Sequence, residues 1–162
     1  MKQTADFSLE EILKNDKIRH LRPHSAPRVG RKASVRDAVE AMRKTRRGCV
    51  LVCHGKDLVG ILTERDILIK LPDNSAEHLS QPVEAVMTPT PQSVSINDSI
   101  LSAIRLMIEK GFRHLPVIGD DGAILGTISI RNVLAYLAEH FPQAVYNLPP
   151  VPGQINVDRD GA

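Results

Sequence analysis

Tryptophan is absent, and aromatic residues make up only 3% of the chain. Binding of single-stranded nucleic acid usually rests on aromatic stacking platforms, so this shortage argues against it. Charge of one sign is lacking too. The formal net charge of +2 is too small to draw the whole chain toward nucleic acid or an anionic membrane surface. No apolar run approaches the roughly 20 residues that a membrane-spanning helix needs. Met1-Lys2-Gln3-Thr4-Ala5-Asp6 holds no apolar signal core, and a soluble cytoplasmic protein is expected. The two cysteines, Cys49 and Cys53, match neither a redox Cys-x-x-Cys nor a zinc pattern. They are expected as buried free thiols on one face of a strand, in a reducing compartment. Catalytic signatures are missing as well. His20, His24, His54, His78, His114 and His140 show no His-x-x-x-His spacing, and neither a P-loop nor Gly-x-Ser-x-Gly occurs. No metal site and no enzyme are expected.

What the chain does contain is a copy of itself. Ser34-Val35-Arg36-Asp37-Ala38-Val39-Glu40-Ala41-Met42 matches Ser99-Ile100-Leu101-Ser102-Ala103-Ile104-Arg105-Leu106-Met107. The same register carries Val29 onto Val94, Val50 onto Leu115 and Val52 onto Val117. It lengthens by one residue before Gly60 and Gly126 and then holds through Leu68 and Leu134. The change falls where a hairpin turn is expected, and turns tolerate insertions. In each copy Val35, Ala38, Val39 and Met42, or Ile100, Ala103, Ile104 and Met107, line one face of a helix. An apolar strand follows (Cys49–Cys53, then His114–Ile118), then a glycine-containing turn, a second strand (Leu58–Leu62, then Ile124–Ile128) and a second helix from near Glu64 or Ile130. Val29 and Val94 mark a short first strand, so each copy reads β-α-β-β-α.

A unit of about 60 residues buries too little apolar surface to be comfortable alone. The expected fold is therefore α/β, with two such repeats packed sheet to sheet under pseudo-twofold symmetry. The expected segments are residues 1–20 with a short helix, Leu9–Asn15, after a capping-box string; a first repeat at 21–78; a second at 79–140; and an extended, proline-rich tail at 141–162. Leftover apolar helix stripes point to a homodimer.

The duplicated series, with Gly60-Ile61-Leu62-Thr63-Glu64-Arg65-Asp66 in the first copy and Val86-Met87-Thr88-Pro89 and Gly111-Phe112-Arg113-His114-Leu115-Pro116-Val117 in the second, resembles a tandem of CBS repeats. Such a pair is known as a Bateman module. The resemblance implies an adenosyl ligand: AMP, ADP, ATP or S-adenosylmethionine. An aspartate at the start of a helix suits this chemistry, because a carboxylate can accept both hydroxyls of a ribose diol. Thr63 is placed to reach the ribose or its phosphate, and the helix N-terminus favours an anion. The simpler reading is that Asp66 is an N-terminal helix acid and Thr63 a cap.

By the same resemblance, the base would lie against Met87, Thr88, Thr90 and Pro91, with Phe112, Arg113, His114 and Leu115 at the next strand. Arg113 and His114 are the implied phosphate contacts, in their own chain or in a dimer mate, unless they are only a solvated strand start. A second site would use Ser129 and Asn132, walled by Ser25, Ala26, Pro27, Gly48, Cys49 and Val50. Neutral Asn132 replaces the carboxylate there, so this site is expected to be weaker or empty. Arg47 ends the basic run Arg43-Lys44-Thr45-Arg46-Arg47, which reads as cations at a helix C-terminus or as a polyphosphate clamp beside the second site. The expected function is a regulatory module that binds an adenosyl ligand, needs no obligatory cofactor and signals in trans through its homodimer or an effector protein. The alternative is a ligand-free dimerisation or interaction scaffold.

Overall fold

Ser34 caps the first long helix, accepting a hydrogen bond from the Asp37 N–H at 3.1 Å, and Ser99 caps its counterpart through the Ser102 N–H at 3.1 Å. These caps recur in the computed structural model, which describes residues 9–71, 73 and 75–142. The order is α1 (Leu9–Asn15), a 3-10 turn (Ile18–Leu21), β1 (Arg28–Gly30), α2 (Val35–Thr45), β2 (Cys49–His54), β3 (Asp57–Thr63) and α3 (Glu64–Lys70). There follow α4 (Ala76–Ser80), a 3-10 turn (Val83–Ala85), β4 (Thr88–Pro89), β5 (Val94–Ser95), α5 (Ile100–Lys110), β6 (His114–Ile118), β7 (Ile124–Ser129) and α6 (Ile130–His140). The tail expected at 141–162 lies outside the described residues beyond position 142.

The two copies fold alike. One sheet runs β1-β2-β3-β4 and the other β5-β6-β7. In both, the short first strand is parallel to the second and the next pair is an antiparallel hairpin. Both hairpins carry a register shift, between Val52 and Cys53 and between Val117 and Ile118. The one-residue length difference lies in the turns that join β2 to β3 and β6 to β7.

Period-two alternation splits the apolar residues of each hairpin between two layers. Val50 and Val52 face α2, whose Val35, Ala38 and Met42 are buried with them. Cys49 and Leu51 face the other way and meet Ile61 and Ile124 between the sheets, with Cys53, Leu58 and Ile118 at the margin. The repeats are thus packed sheet to sheet. Each fully buried Val, Leu or Ile in these layers stabilises the fold by roughly 1.5–3 kcal/mol.

The register of the repeats does not reveal how their leading segments pack. Leu13, Ile18 and Leu21 are buried in the core of the second repeat, beside Ile100 and Val133. Val83 and Val86 are buried in the core of the first. Each segment also closes the other sheet: β4 pairs with β3, and His24 bridges Thr127 of β7. This exchange brings residues from both halves together at the edge of each sheet.

The cysteines follow from the layering. Both are free; Cys49 is buried and Cys53 partly so. Burial pushes the Cys49 thiol up to about 11, against weaker opposing effects of the Thr127 hydroxyl and Arg47. Near neutral pH a thiol reagent should modify Cys53 first and Cys49 more slowly by at least roughly tenfold, because the thiolate is the reactive form. Peptide mapping after timed quenching checks this, and faster labelling of Cys49 would contradict a dry layer between the sheets.

Candidate functional site

The end of β3 and the start of α3 fix the position of two side chains. Thr63 is extended, at φ −115° and ψ 162°, and leads straight into the helix. Its Oγ1 accepts the Asp66 N–H at 3.2 Å, while its own N–H and hydroxyl donate to Asp66 Oδ2 at 2.9 and 2.7 Å. The simpler reading of this pair, a helix cap, is therefore present. It does not exhaust Asp66, whose carboxylate also borders a cavity.

That cavity has a volume of about 380 Å³, within the range of small-molecule sites. Thr63 and Asp66 border it from the first repeat. Thr88, Thr90 and Pro91, at and just after β4, form a second side. Phe112, Arg113 and His114 form a third, at the start of β6. Met87 and Leu115 stand outside it. Met87 packs against the first core and Leu115 is 1% exposed in the second. Thr90 adopts φ 47°, which is rare for a β-branched residue and costs of order 1 kcal/mol. It turns the chain into the cavity wall.

Several wall residues escaped the sequence reading. Arg65 and Lys110 add cations to that of Arg113, and Glu64 adds a carboxylate. Gln92 and Gly111 directly adjoin residues that the sequence did single out. Gly48, expected in the second site, lines this cavity instead. A Cβ there would meet His114 Cε1 at 3.1 Å and Glu64 Oε2 at 3.3 Å, so any larger residue would crowd the mouth. The signal was the chain's own order, since Gly48 immediately precedes β2 and the Glu64 N–H donates to its carbonyl at 3.0 Å.

The charges are set by their neighbours. Burial pushes the Asp66 carboxyl up, but the Lys70 ammonium and the Thr63 hydrogen bonds outweigh this and hold it below its ordinary value. It is ionised at neutral pH. Burial pushes the His114 imidazole below its ordinary value; Glu64 opposes the shift and Arg113 adds to it. A neutral imidazole with one N–H follows.

The place expected for a second site is built differently. Asn132 is 7% exposed and committed at both ends. Its Oδ1 accepts the Ser129 N–H and hydroxyl, each at 2.9 Å, and its Nδ2 donates to the Leu21 carbonyl at 3.1 Å and the Arg22 carbonyl at 3.4 Å. Ala26, Cys49 and Val50 are buried in the packed layers, while Ser25 is exposed and Pro27 and Arg47 are half-buried. The arrangement holds the leading segment in place and leaves the amide no spare donor.

Among the described residues no group of three or more His, Cys, Asp or Glu could hold a metal, and no helix is long and apolar enough to cross a membrane.

Known proteins share this fold. The model of the CBS domain family matches residues 18–73 and 83–139. An uncharacterised 17.7 kDa protein of Acidianus ambivalens is 33% identical over 107 residues, 65% of this chain and 63% of that protein. The chain therefore spans less than two thirds of that relative's length. A crystal structure of a CBS domain aligns with TM-score 0.66 and 31% identity, covering 74% of this chain and 95% of its own. The structure of CBSX2 in complex with AMP aligns with TM-score 0.58 and 27% identity, covering 72% and 88%.

Proposed function

This chain belongs to the CBS domain family, and from that premise we infer that it is a regulatory module binding an adenine nucleotide in the cavity beside Asp66. The observation that carries this reading is the placement of an ionised carboxylate in the wall of a cavity built by both repeats. Asp66 would accept the ribose diol. Thr88, Thr90 and Pro91 would flank the base, and Phe112 would cover it. In the cavity lining, Arg65, Lys110 and Arg113 outnumber Glu64 and Asp66, which favours a phosphate-bearing ligand over cationic S-adenosylmethionine. The AMP complex of the CBSX2 relative supports the same choice. We assign the second place a weaker site or none, because the Asn132 amide is already satisfied on both sides.

The module would act without catalysis, in the cytoplasm and in trans, through a homodimer or an effector protein. Leu68 on α3 and Leu134 on α6 occupy matching places in the two repeats and are 82% and 56% exposed. Ile69 on α3 and Ile130 on α6 are exposed as well. An isologous dimer would bury such a pair of faces together. The alternative, a ligand-free scaffold, draws on one observation: Asp66 already bonds to Thr63 and Lys70, and the Thr88 hydroxyl donates to its Oδ1 at 3.4 Å.

Thermal melting with AMP, ADP, ATP, S-adenosylmethionine and NAD separates the two. A ligand at ~100 times its Kd should stabilise the fold by about 2.7 kcal/mol, a rise of roughly 5–10 °C for a domain of this size. AMP, ADP or ATP should give the largest rise. No rise with any of the five would favour the scaffold.

A further inference from the structure

Two acceptors, Asp66 Oδ1 and the Val86 carbonyl, are brought together where α3 meets the segment that crosses over from the second repeat. The Lys70 ammonium bridges them, donating to each at 2.8 Å, and lies 3.4 Å from Thr88 Oγ1. Lys70 is not part of the cavity wall, which Asp66 and Thr88 do border. It reaches the carboxylate from one turn further along the helix, outside the space that a ligand would fill.

The second repeat shows what this lysine replaces. In the repeat register Asp66 corresponds to Asn132, Lys70 to Tyr136 and Val86 to Leu21. There the Asn132 Nδ2 donates directly to the Leu21 carbonyl at 3.1 Å. An amide carries its own donor and a carboxylate carries none. An aspartate at this place would set two acceptors against each other unless a third group supplied the proton. Lys70 supplies it.

We propose that Lys70 is the positioning residue of the nucleotide site. It ties the segment bearing Thr88, Thr90 and Pro91 to the carboxylate and fixes the spacing between the diol acceptor and the base-side wall. The aspartate–lysine pair thereby does what Asn132 does alone, while Asp66 and Thr88 remain in the cavity wall. The proposal rests on the nucleotide reading of the cavity.

Titration calorimetry with AMP and 2′-deoxy-AMP tests it, alongside thermal melting without ligand. The wild-type chain should prefer AMP. Lys70→Met should weaken AMP binding roughly tenfold, the worth of one charge-assisted bond, and should shrink the preference for the ribose form. Lys70→Arg, which keeps charged donors, should retain most of both. Asp66→Asn combined with Lys70→Met rebuilds the amide-to-carbonyl contact of the second repeat. That double variant should melt higher than Lys70→Met alone while binding AMP poorly. A merely structural lysine would lower the melting temperature and leave the AMP to deoxy-AMP ratio unchanged. If the wild type binds AMP and Lys70→Met keeps its affinity and its preference, the positioning role is overturned and the nucleotide reading stands. If the wild type binds neither ligand, both are overturned.

Discussion

Replacing Asp66 by alanine should abolish the stabilisation of the chain by AMP, with affinity falling by at least about 100-fold. Two hydrogen bonds from ribose hydroxyls to an ionised acceptor are each worth about 1.5–3 kcal/mol. No neighbour can take over. Glu64 stands two positions earlier, with its carboxylate beside Gly48, and Thr63 has a single hydroxyl already given to Asp66. The ligand-free protein should also melt lower, because Asp66 Oδ2 accepts both the Thr63 N–H and its hydroxyl at the start of α3. Loss of such a cap costs about 1 kcal/mol. Asp66→Asn separates the two effects. Its side-chain oxygen can still accept from Thr63, as Asn132 accepts from Ser129, so the cap is kept and ligand-free stability should fall only by what the lost Lys70 contact is worth. Its neutral acceptor should still bind AMP poorly. The contrast is read from paired calorimetric titrations and ligand-free melts. Wild-type affinity in Asp66→Ala would remove the carboxylate from the site and place AMP somewhere other than this cavity.

The repeat made much of this legible in advance. Helix faces such as Val35, Ala38 and Met42 announce themselves by spacing, and their duplication at Ile100, Ala103 and Met107 confirms the pattern internally. Starts of helices were readable where a Ser or Thr precedes a polar N3 residue, as at Ser34 and Thr63. The exchange of leading segments was not readable. Ile18 and Leu21 are apolar and would suit either core, and nothing local to them says which sheet they close. The site divides in the same way. Thr63 and Asp66 share one turn of chain, so their proximity follows from local geometry. Lys110 and Gly48 reach the cavity only because β6 and β2 pack across the seam. Met87 and Leu115 show the opposite failure: they adjoin wall residues in sequence, but strand alternation turns Leu115 into the second core, and Met87, just before β4, packs against the first.

That seam also predicts the most damaging single substitution outside the cavity. Gly126 sits at φ 149°, where side chains are rarely tolerated, and a Cβ on it would lie 2.1 Å from the His24 carbonyl oxygen. The colliding atom is backbone. It cannot swing aside, because the His24 carbonyl accepts the Thr127 N–H and the His24 N–H donates to the Thr127 carbonyl, both at 2.9 Å. Three residues upstream, Leu21 is buried in the second core, and its carbonyl holds Asn132. Gly126→Ala should therefore push the whole leading segment off β7. A destabilisation of about 3 kcal/mol or more is expected, a fall in Tm of roughly 6–12 °C. Gly60 is the counterpart in the first repeat, yet there a Cβ would meet Met87 Sδ at 2.2 Å, the far end of a pliable side chain. Gly60→Ala should cost about 1 kcal/mol, because Met87 can choose another rotamer. The functional effects should run the other way. Met87 directly precedes Thr88 in the cavity wall, so Gly60→Ala should weaken AMP binding, whereas Gly126→Ala disturbs the place expected for the second site and should spare it below its own melting range. Melting and AMP titration of the two variants side by side decide the matter. Equal falls in Tm would mean that the crossing segments are held by something other than these two close approaches.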